Sequence, residues 1–444
     1  PLAFPQTTFT NSCRYNDGSD DYLSKTFGSS GNRKTWSFST WIKRSHLANG
    51  NMNVIGTDYS GSGEAYLLFR SGEQLMYGQY EGGGSSNNYS FQTNQAFRDT
   101  SAFYHILFVW DTTQSTSSDR MKLYVNGSQI TSFSSSSYPS LNLDGVWNSN
   151  RVHYVGDDAI DGVNFDGYLA ETIFVDGQAL TPTSFGATNP VTNIWEPIAY
   201  TGTYGTNGFK LDYSDSSALG DDTSGNGNDF TVNNLTSIDQ STDTPSNNFC
   251  TLNSIDSGTV TLSDGSLTAV SGSDYHATKG TIGVNTGKWY FEAKINAGSG
   301  STVDNFIGIT GDNTAVTGTT YDNNPSVLYS GSGTIEKDGT TVQSSLTTFS
   351  TGTILGVALN MDDSEIEFYV NGSKQGSTQS ISSFTGFYLP FYIGANARSA
   401  SFNFGAPPYT ISSGNADANG HGNFEYAVPS GYFSLCTKNL AEFG

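Results

Sequence analysis

The sequence predicts an all-β protein: two antiparallel jelly-roll-type β-sandwiches in tandem, joined by an ordered connector rich in Gly, Asn and Asp. Three observations predict it. The chain of 444 residues holds 51 Gly, 25 Tyr and 28 Phe but only 14% charged residues, a composition of strand and turn formers that is poor in long helices. Short segments alternating apolar and polar residues recur between turn-forming clusters. Finally, one hairpin is written twice, as MKLYVNGSQI (Met121 to Ile130) and EIEFYVNGSKQG (Glu365 to Gly376).

Taken in order, residues 1–19 read as an N-terminal docking arm. Residues 20–186 carry the first strand series, with TWSFSTWIKRS, AYLLFRS, QLMYGQY, FYHILFVWD, MKLYVNG, RVHYVGD and YLAETIFVDG at sandwich spacing. Residues 187–252 form the connector. Phe209, Leu211, Tyr213, Phe230 and Val232 interrupt its polar texture, so one or two strands are expected there, which would complete the first sandwich. Residues 253–405 carry the second series, including KWYFEAKI, NFIGIT, SVLYSG, TILGVALNM and FYLPFYIG, and residues 406–444 read as a C-terminal docking tail. In both hairpins Asn-Gly supplies the two positive-φ positions of a type I′ turn. The two-residue period sends Met121, Leu123 and Val125 to one face, as it does Ile366, Phe368 and Val370, with Tyr124 and Tyr369 opposite. The hairpins are expected at equivalent places in two similar domains.

Charge narrows the partners. Nineteen basic residues against 41 acidic ones give −22, which opposes binding to nucleic-acid phosphates and to anionic membrane surfaces. Cys13, Cys250 and Cys436 lie far apart and form no metal or redox motif. No apolar run approaches the roughly 20 residues needed to span a bilayer, so no membrane insertion is expected, and PLAFPQTTFTN lacks the features of a signal peptide.

The second series resembles SPRY (B30.2-like) domains, through GKWYFEAKI and GVALNMDDSEIEFYVNG. The first is similar to the concanavalin-A-like, laminin-G-type jelly roll, through TWSFSTWIKRS, YHILFVWDTT with MKLYVNG, and FDGYLAETIFVDGQALTPTSFG. The whole arrangement, including AYTGTYGTNGFKLDYSD, DTSGNGNDFTVNN and GYFSLCTKNLAEFG, resembles structural proteins of marine bacteriophages. That resemblance implies a location on the virion surface, as a tail fibre, capsid fibre or knob, or capsid decoration.

Candidate chemistry is sparse. No Ser/His/Asp or HExxH arrangement is present, nor two carboxylates spaced for glycoside hydrolysis; Glu365 and Glu367 share a face but adjoin a solvent-facing hairpin. A non-enzymatic protein is expected. GDDAIDGVNFDG gathers Asp157, Asp158, Asp161 and Asp166, hard oxygen donors suited to Ca²⁺, the one cofactor indicated. The competing reading is an Asp-rich turn capped by its own side chains. The laminin-G-type resemblance implies Ca²⁺ at a loop rim in many relatives, which adds weight to the first and leaves the second standing. For a glycan, Tyr80, Asn87, Asn88 and Tyr89 in one loop and Tyr321, Asp322 and Asn323 in another offer aromatic platforms with polar partners. The expectation is a virion appendage, homotrimeric, contacting other virion proteins and a host-surface glycan or protein. A decoration protein with protein contacts alone and a polysaccharide depolymerase are the alternatives.

Overall fold

The computed structural model describes residues 7–444 apart from 48–49, 59–62, 83–87, 159–163, 298–303, 315, 317–324 and 382–385. Two compact units meet in sequence between Ser246 and Asn247. The first contains β1 (Ser12–Tyr15), β2 (Tyr22–Thr26), β3 (Thr35–Arg44), β4 (Met52–Thr57), β5 (Gly63–Phe69), β6 (Gln74–Glu81) and β7 (Tyr89–Ala96). It continues with β8 (Tyr104–Asp111), β9 (Met121–Val125), β10 (Ser128–Ile130), β11 (Phe133–Ser137), β12 (Val152–Val155) and β13 (Gly167–Asp176). After these come β14 (Gly186–Thr188), β15 (Trp195–Pro197), β16 (Phe209–Leu211), β17 (Thr231–Asn233) and β18 (Gln240–Ser241). One sheet runs β10-β9-β8-β3-β13-β1-β18 with β16 added on β13; the other runs β11-β7-β6-β5-β4-β12-β2-β17.

The second unit contains β19 (Thr261–Ser263), β20 (Thr268–Val270), β21 (His276–Lys279), β22 (Lys288–Ala297), β23 (Asn305–Gly311), β24 (Ser326–Ser330) and β25 (Ile335–Lys337). Then follow β26 (Thr340–Gln343), β27 (Ile354–Asn360), β28 (Glu365–Val370), β29 (Ser373–Ser380), β30 (Tyr388–Gly394), β31 (Ser399–Asn403), β32 (Phe433–Ser434) and the helix α1 (Thr437–Phe443). Its sheets run β19-β20-β31-β22-β27-β28-β29, with β32 on β22, and β21-β30-β23-β24-β25-β26.

The two orders are the same fold. Strands β1, β3, β8, β9, β10 and β13 of unit one correspond in sequence order and sheet position to β20, β22, β27, β28, β29 and β31 of unit two. Likewise β2, β4, β5, β6, β7 and β12 correspond to β21, β23, β24, β25, β26 and β30. The hairpins coincide in atomic detail. Asn126 and Gly127 have φ of 47° and 78°, Asn371 and Gly372 47° and 76°, as a type I′ turn requires. Asn126 donates its N–H to the His105 carbonyl and accepts from the His105 N–H through Oδ1, at 2.9 and 2.8 Å. Asn371 makes the same pair with Ile354, at 2.8 and 3.0 Å.

Each core lies between the sheets. In unit one Trp36 stacks on Trp110 with ring centroids 6.1 Å apart, and Tyr77 of the second sheet reaches to 4.4 Å from Phe108 of the first. In unit two Tyr329 meets Phe368 across the same gap at 5.6 Å. Met121, Leu123 and Val125 enter the first core and Ile366, Phe368 and Val370 the second, while Tyr124 and Tyr369 pack on the outer sides.

The structure redraws three limits set from sequence. Residues 12–15 are no arm: β1 sits between β13 and β18, and Phe9 is buried against Trp41. The connector belongs to the sandwiches, because β16, β17 and β18 pair with β13, β2 and β1, and Cys250 and Leu252 enter the second core. Much of the tail is also internal. Phe424 packs on Tyr290, β32 joins β22, Phe433 stacks on Phe443 at 3.9 Å, and Asp417 accepts from Ser434 and Asn439. Among the described residues of the two pieces read as docking segments, Phe9, Phe424, Phe433 and Phe443 pack inside their own unit, and residues 1–6 lie outside the described residues. Cys13, Cys250 and Cys436 are buried free thiols.

Lys43 on β3 and Asp243 beyond β18 form a buried ion pair at 2.8 Å, both side chains 1% exposed. Lys43→Met leaves the carboxylate uncompensated, so unfolding followed by tryptophan fluorescence, which unit one dominates through Trp36, Trp41, Trp110, Trp147 and Trp195, is expected to show a loss of about 3–5 kcal/mol. The Lys43→Met/Asp243→Leu pair should recover most of it. A double variant no more stable than the single one would refute the pairing.

Candidate functional site

Beyond β13 the chain of unit one folds back over the outer face of the first sheet. Strands β14 and β15 pair with each other and set Trp195 above the turn glycine Gly127, where a Cβ atom would stand 2.6 Å from the indole. Trp195 Nε1 donates to His105 Nδ1 at 3.1 Å, so the ring proton sits on Nε2 and is donated to Ser39 Oγ at 2.9 Å. His105 is fully buried between Trp41 and Trp195, and burial pushes its pKa down to about 3. Neutral histidine and indole thus form a rigid floor.

Beside this floor runs a groove lined by Phe103, Asn126, Ser128, Asn193, Ile194 and Trp195 among others, with no charged residue in its lining among the described residues. Asn193 stands at φ 58°, and Ile194 and Val191 are exposed at 60% and 91%. Two aromatic rings, two amides and a hydroxyl suit a neutral ligand with apolar faces and hydroxyl groups, which is the chemistry of a saccharide.

Unit two roofs its hairpin in the same way with a different clasp. A Cβ on Gly372 would lie 2.6 Å from the Tyr426 ring. The N–H groups of Glu425 and Tyr426 donate to the two carboxylate oxygens of Glu292, each at 2.9 Å, and Tyr290 and Asn403 complete the shell. Burial holds the Glu292 carboxyl above the usual carboxylate range.

The residues selected from sequence fall elsewhere. Tyr80 and Tyr89 do not form one platform. On β6, Tyr77 and Gln79 face the core, so Tyr80 faces outward beside Tyr66, at 6.1 Å, whereas Tyr89 on β7 packs on the core side with its hydroxyl 3.5 Å from Glu81. Asn88 closes the β6–β7 turn by accepting from the Glu81 N–H at 2.6 Å. Asn87, Tyr321, Asp322, Asn323 and Asp161 lie outside the described residues. Of the Asp set, the three described members have different partners. Asp157 and Asp158 are buried, and Asp157 Oδ1 accepts from the Asp158 N–H at 2.7 Å, the self-capped turn of the competing reading. Asp166 instead meets His46, Nδ1 to Oδ2 at 3.2 Å, and Asp17; one ligand atom from each of the three lies within 4.8 Å of the others. Its hydrogen bond to Asp166 raises the His46 pKa, and burial followed by the Asp166 charge raises that of Asp17. Sequence reading missed Trp195 because it stands alone in a stretch read as connector; a single Trp in TNIWEP was the available signal.

Residues 17–184 match the family model described as the concanavalin A-like lectin/glucanases superfamily, of laminin G type, and residues 288–407 match the SPRY domain. The chain carries these two domains in tandem. Among solved structures it is similar to the SPRY domain of human HERC1, at 16% identity over 34% of this chain and 96% of that one, with a TM-score of 0.30. It is also similar to a heptameric SAP-like pentraxin from Limulus polyphemus, at 13% identity over 46% and 94%, with a TM-score of 0.32. Comparison with curated proteins gave no match. Both domain types are typically non-catalytic binding domains.

In the concanavalin A-like domain the buried His105 has a measurable consequence. The unfolded chain takes up a proton on this residue near pH 6.5 while the folded one resists until about 3, so the contribution of His105 falls as pH falls across that window. In His105→Gln the decline in unit-one stability between pH 6 and 4 is expected to be shallower than in wild type by about 1.4 kcal/mol per pH unit. Parallel stability profiles would show that His105 is already protonated in the fold.

Proposed function

We propose that this chain is a non-enzymatic virion structural protein, an appendage that displays a concanavalin A-like and a SPRY domain for attachment to a host surface. The observation that carries the binding role is the uncharged groove of Trp195, Phe103, Asn126, Asn193 and Ser128 on a domain type that typically binds. The virion location rests on the resemblance of the sequence to phage structural proteins. A net charge of −22 supports the same reading, since it leaves a neutral sugar face as a better partner than a phosphate or an anionic membrane. Among the described residues no carboxylate lines the groove, which favours retention of a glycan over its hydrolysis. A homotrimer would multiply weak single-site contacts into avidity.

A decoration protein with protein contacts alone is the second reading, favoured by two exposed apolar residues, Ile194 at the groove and Val191 three positions before it in the chain. Asn193→Gly together with Ser128→Ala removes two polar groups and keeps the positive φ that Asn193 adopts. On an array of neutral glycans the wild type is expected to bind, and this double variant to lose at least tenfold in affinity with unfolding unchanged. Binding that survives the double variant, or a wild type that binds no glycan while Val191→Asp/Ile194→Asp abolishes incorporation into particles, would replace the attachment reading by the decoration one. Labelled antibody on intact particles tests the virion location separately.

A further inference from the structure

Because the fold is written twice, each connection in unit one has a counterpart in unit two. The β1–β2, β3–β4 and β12–β13 connections bring Asp17, His46 and Asp166 together. The corresponding connections, β20–β21, β22–β23 and β30–β31, bring together Tyr275, Asp304 and the pair Asn396 and Arg398. Asp166 and Arg398 are each the last residue before the corresponding strand, β13 or β31.

The chemistry differs in one respect. In unit two the Asp304 carboxylate is met by the Arg398 guanidinium at 3.6 Å, the Asn396 amide at 3.0 Å and the Tyr275 hydroxyl at 3.3 Å, so a fixed cation holds the three connections. In unit one an aspartate stands where that arginine would be, and two carboxylates face one imidazole. The cations on the adjoining strands are committed elsewhere: Lys43 to Asp243, Arg44 to Glu73 and the Phe97 carbonyl, Arg14 to Asp239 and the Ile238 carbonyl. The Asp166 side chain is 2% exposed, and its Oδ1 has no hydrogen-bond partner among the described residues. A buried carboxylate oxygen left unpaired beside a second carboxylate calls for positive charge.

We infer that Asp17, His46 and Asp166 bind a divalent first-row transition ion, Zn²⁺ foremost, which takes the place held in unit two by the Arg398 guanidinium. The imidazole decides the class. Ca²⁺ takes six to eight oxygen ligands, whereas one nitrogen and two carboxylates are a ligand set suited to Zn²⁺, with water completing the shell on the side where Asp17 is exposed. The ion would tie three loops together at the edge of the concanavalin A-like domain, a structural role independent of the groove at Trp195.

The full chain, freed of metal with a chelator and then dialysed, is titrated by calorimetry with ZnCl₂, MnCl₂ and CaCl₂, and its thermal midpoint is measured with and without each ion. One Zn²⁺ per chain is expected, bound more tightly than Ca²⁺, with a raised midpoint. Asp17→Asn and His46→Gln, both at accessible positions, should each weaken Zn²⁺ at least tenfold and lose the Zn²⁺-dependent rise in midpoint, each measured against its own chelator-treated profile. Asp166→Arg rebuilds the solution of unit two and should abolish both Zn²⁺ binding and the midpoint shift. A wild type that binds no Zn²⁺, that prefers Ca²⁺, or that binds Zn²⁺ no better than Asp17→Asn and His46→Gln overturns the inference, even if Asp166→Arg fails to fold.

Discussion

The central strands of the first sheet of each unit are buried on both faces, and the rest of the architecture follows from that. On β3 the inward side chains Trp36, Phe38 and Ile42 fill the core, yet Trp41 and Lys43 on the opposite face are also at or below 4% exposure. On β22, Phe291 and Ile295 point inward while Tyr290 and Glu292 are buried outside. An outer face carrying a lysine, a histidine and a glutamate cannot be covered by apolar residues alone, because each buried polar group needs a partner. The covering segments supply them: Asp243 for Lys43, the Trp195 indole for His105, and two backbone N–H groups for Glu292. The buried polar groups therefore fix where each covering segment lies. Apolar packing alone would leave that choice degenerate.

This explains what could be read from the sequence. The hairpins were legible because Asn-Gly specifies its turn within two residues and the period of two assigns every neighbouring side chain to a face. The sandwiches were legible for the same reason, repeated strand by strand. What lies outside the sheets was not. Lys43 is separated from its partner by 200 residues and Glu292 from the Glu425 N–H by 133, and nothing local marks either as a clasp. A charged residue within an alternating strand reads as solvent-facing, so the segments that cover it read as free arms, connectors and tails. The apolar ends read as docking segments, yet Phe9 and Phe433 meet Trp41 and Phe443 of their own unit, contacts that no local pattern announces.

The pairing of Tyr80 with Tyr89 in one platform fails for a related reason. Tyr80 and Tyr89 stand close in sequence across a turn, and proximity suggested a shared platform. Their positions in paired strands put them on opposite faces, because Gln79, not Tyr80, is the register partner of Tyr89. The four aspartates of GDDAIDGVNFDG likewise looked like one site. Asp157 is used by its own turn, and Asp166 finds Asp17 and His46, which lie 149 and 120 positions earlier, across two other connections. Spacing within a loop is informative when the loop binds as a unit. Here separate loops converge, and the sequence holds no sign of their meeting.

A strand order shared by both units supplies what an isolated domain would lack, an internal comparison at constant topology. The turn glycines, the paired Asn bonds at the hairpin base and an aromatic roof are present in both units, so they belong to the scaffold. The clasps differ. Unit one roofs its hairpin with an indole on a neutral histidine and leaves an uncharged groove beside it; unit two uses a tyrosine whose backbone is held by a buried carboxylate. At the three-loop junction unit two carries a guanidinium and unit one an aspartate. A scaffold needs each junction neutralised, but it is indifferent to how. One strand order thus carries two different sets of polar groups, and the chemistry of each domain is to be sought at the corresponding positions where the two units differ.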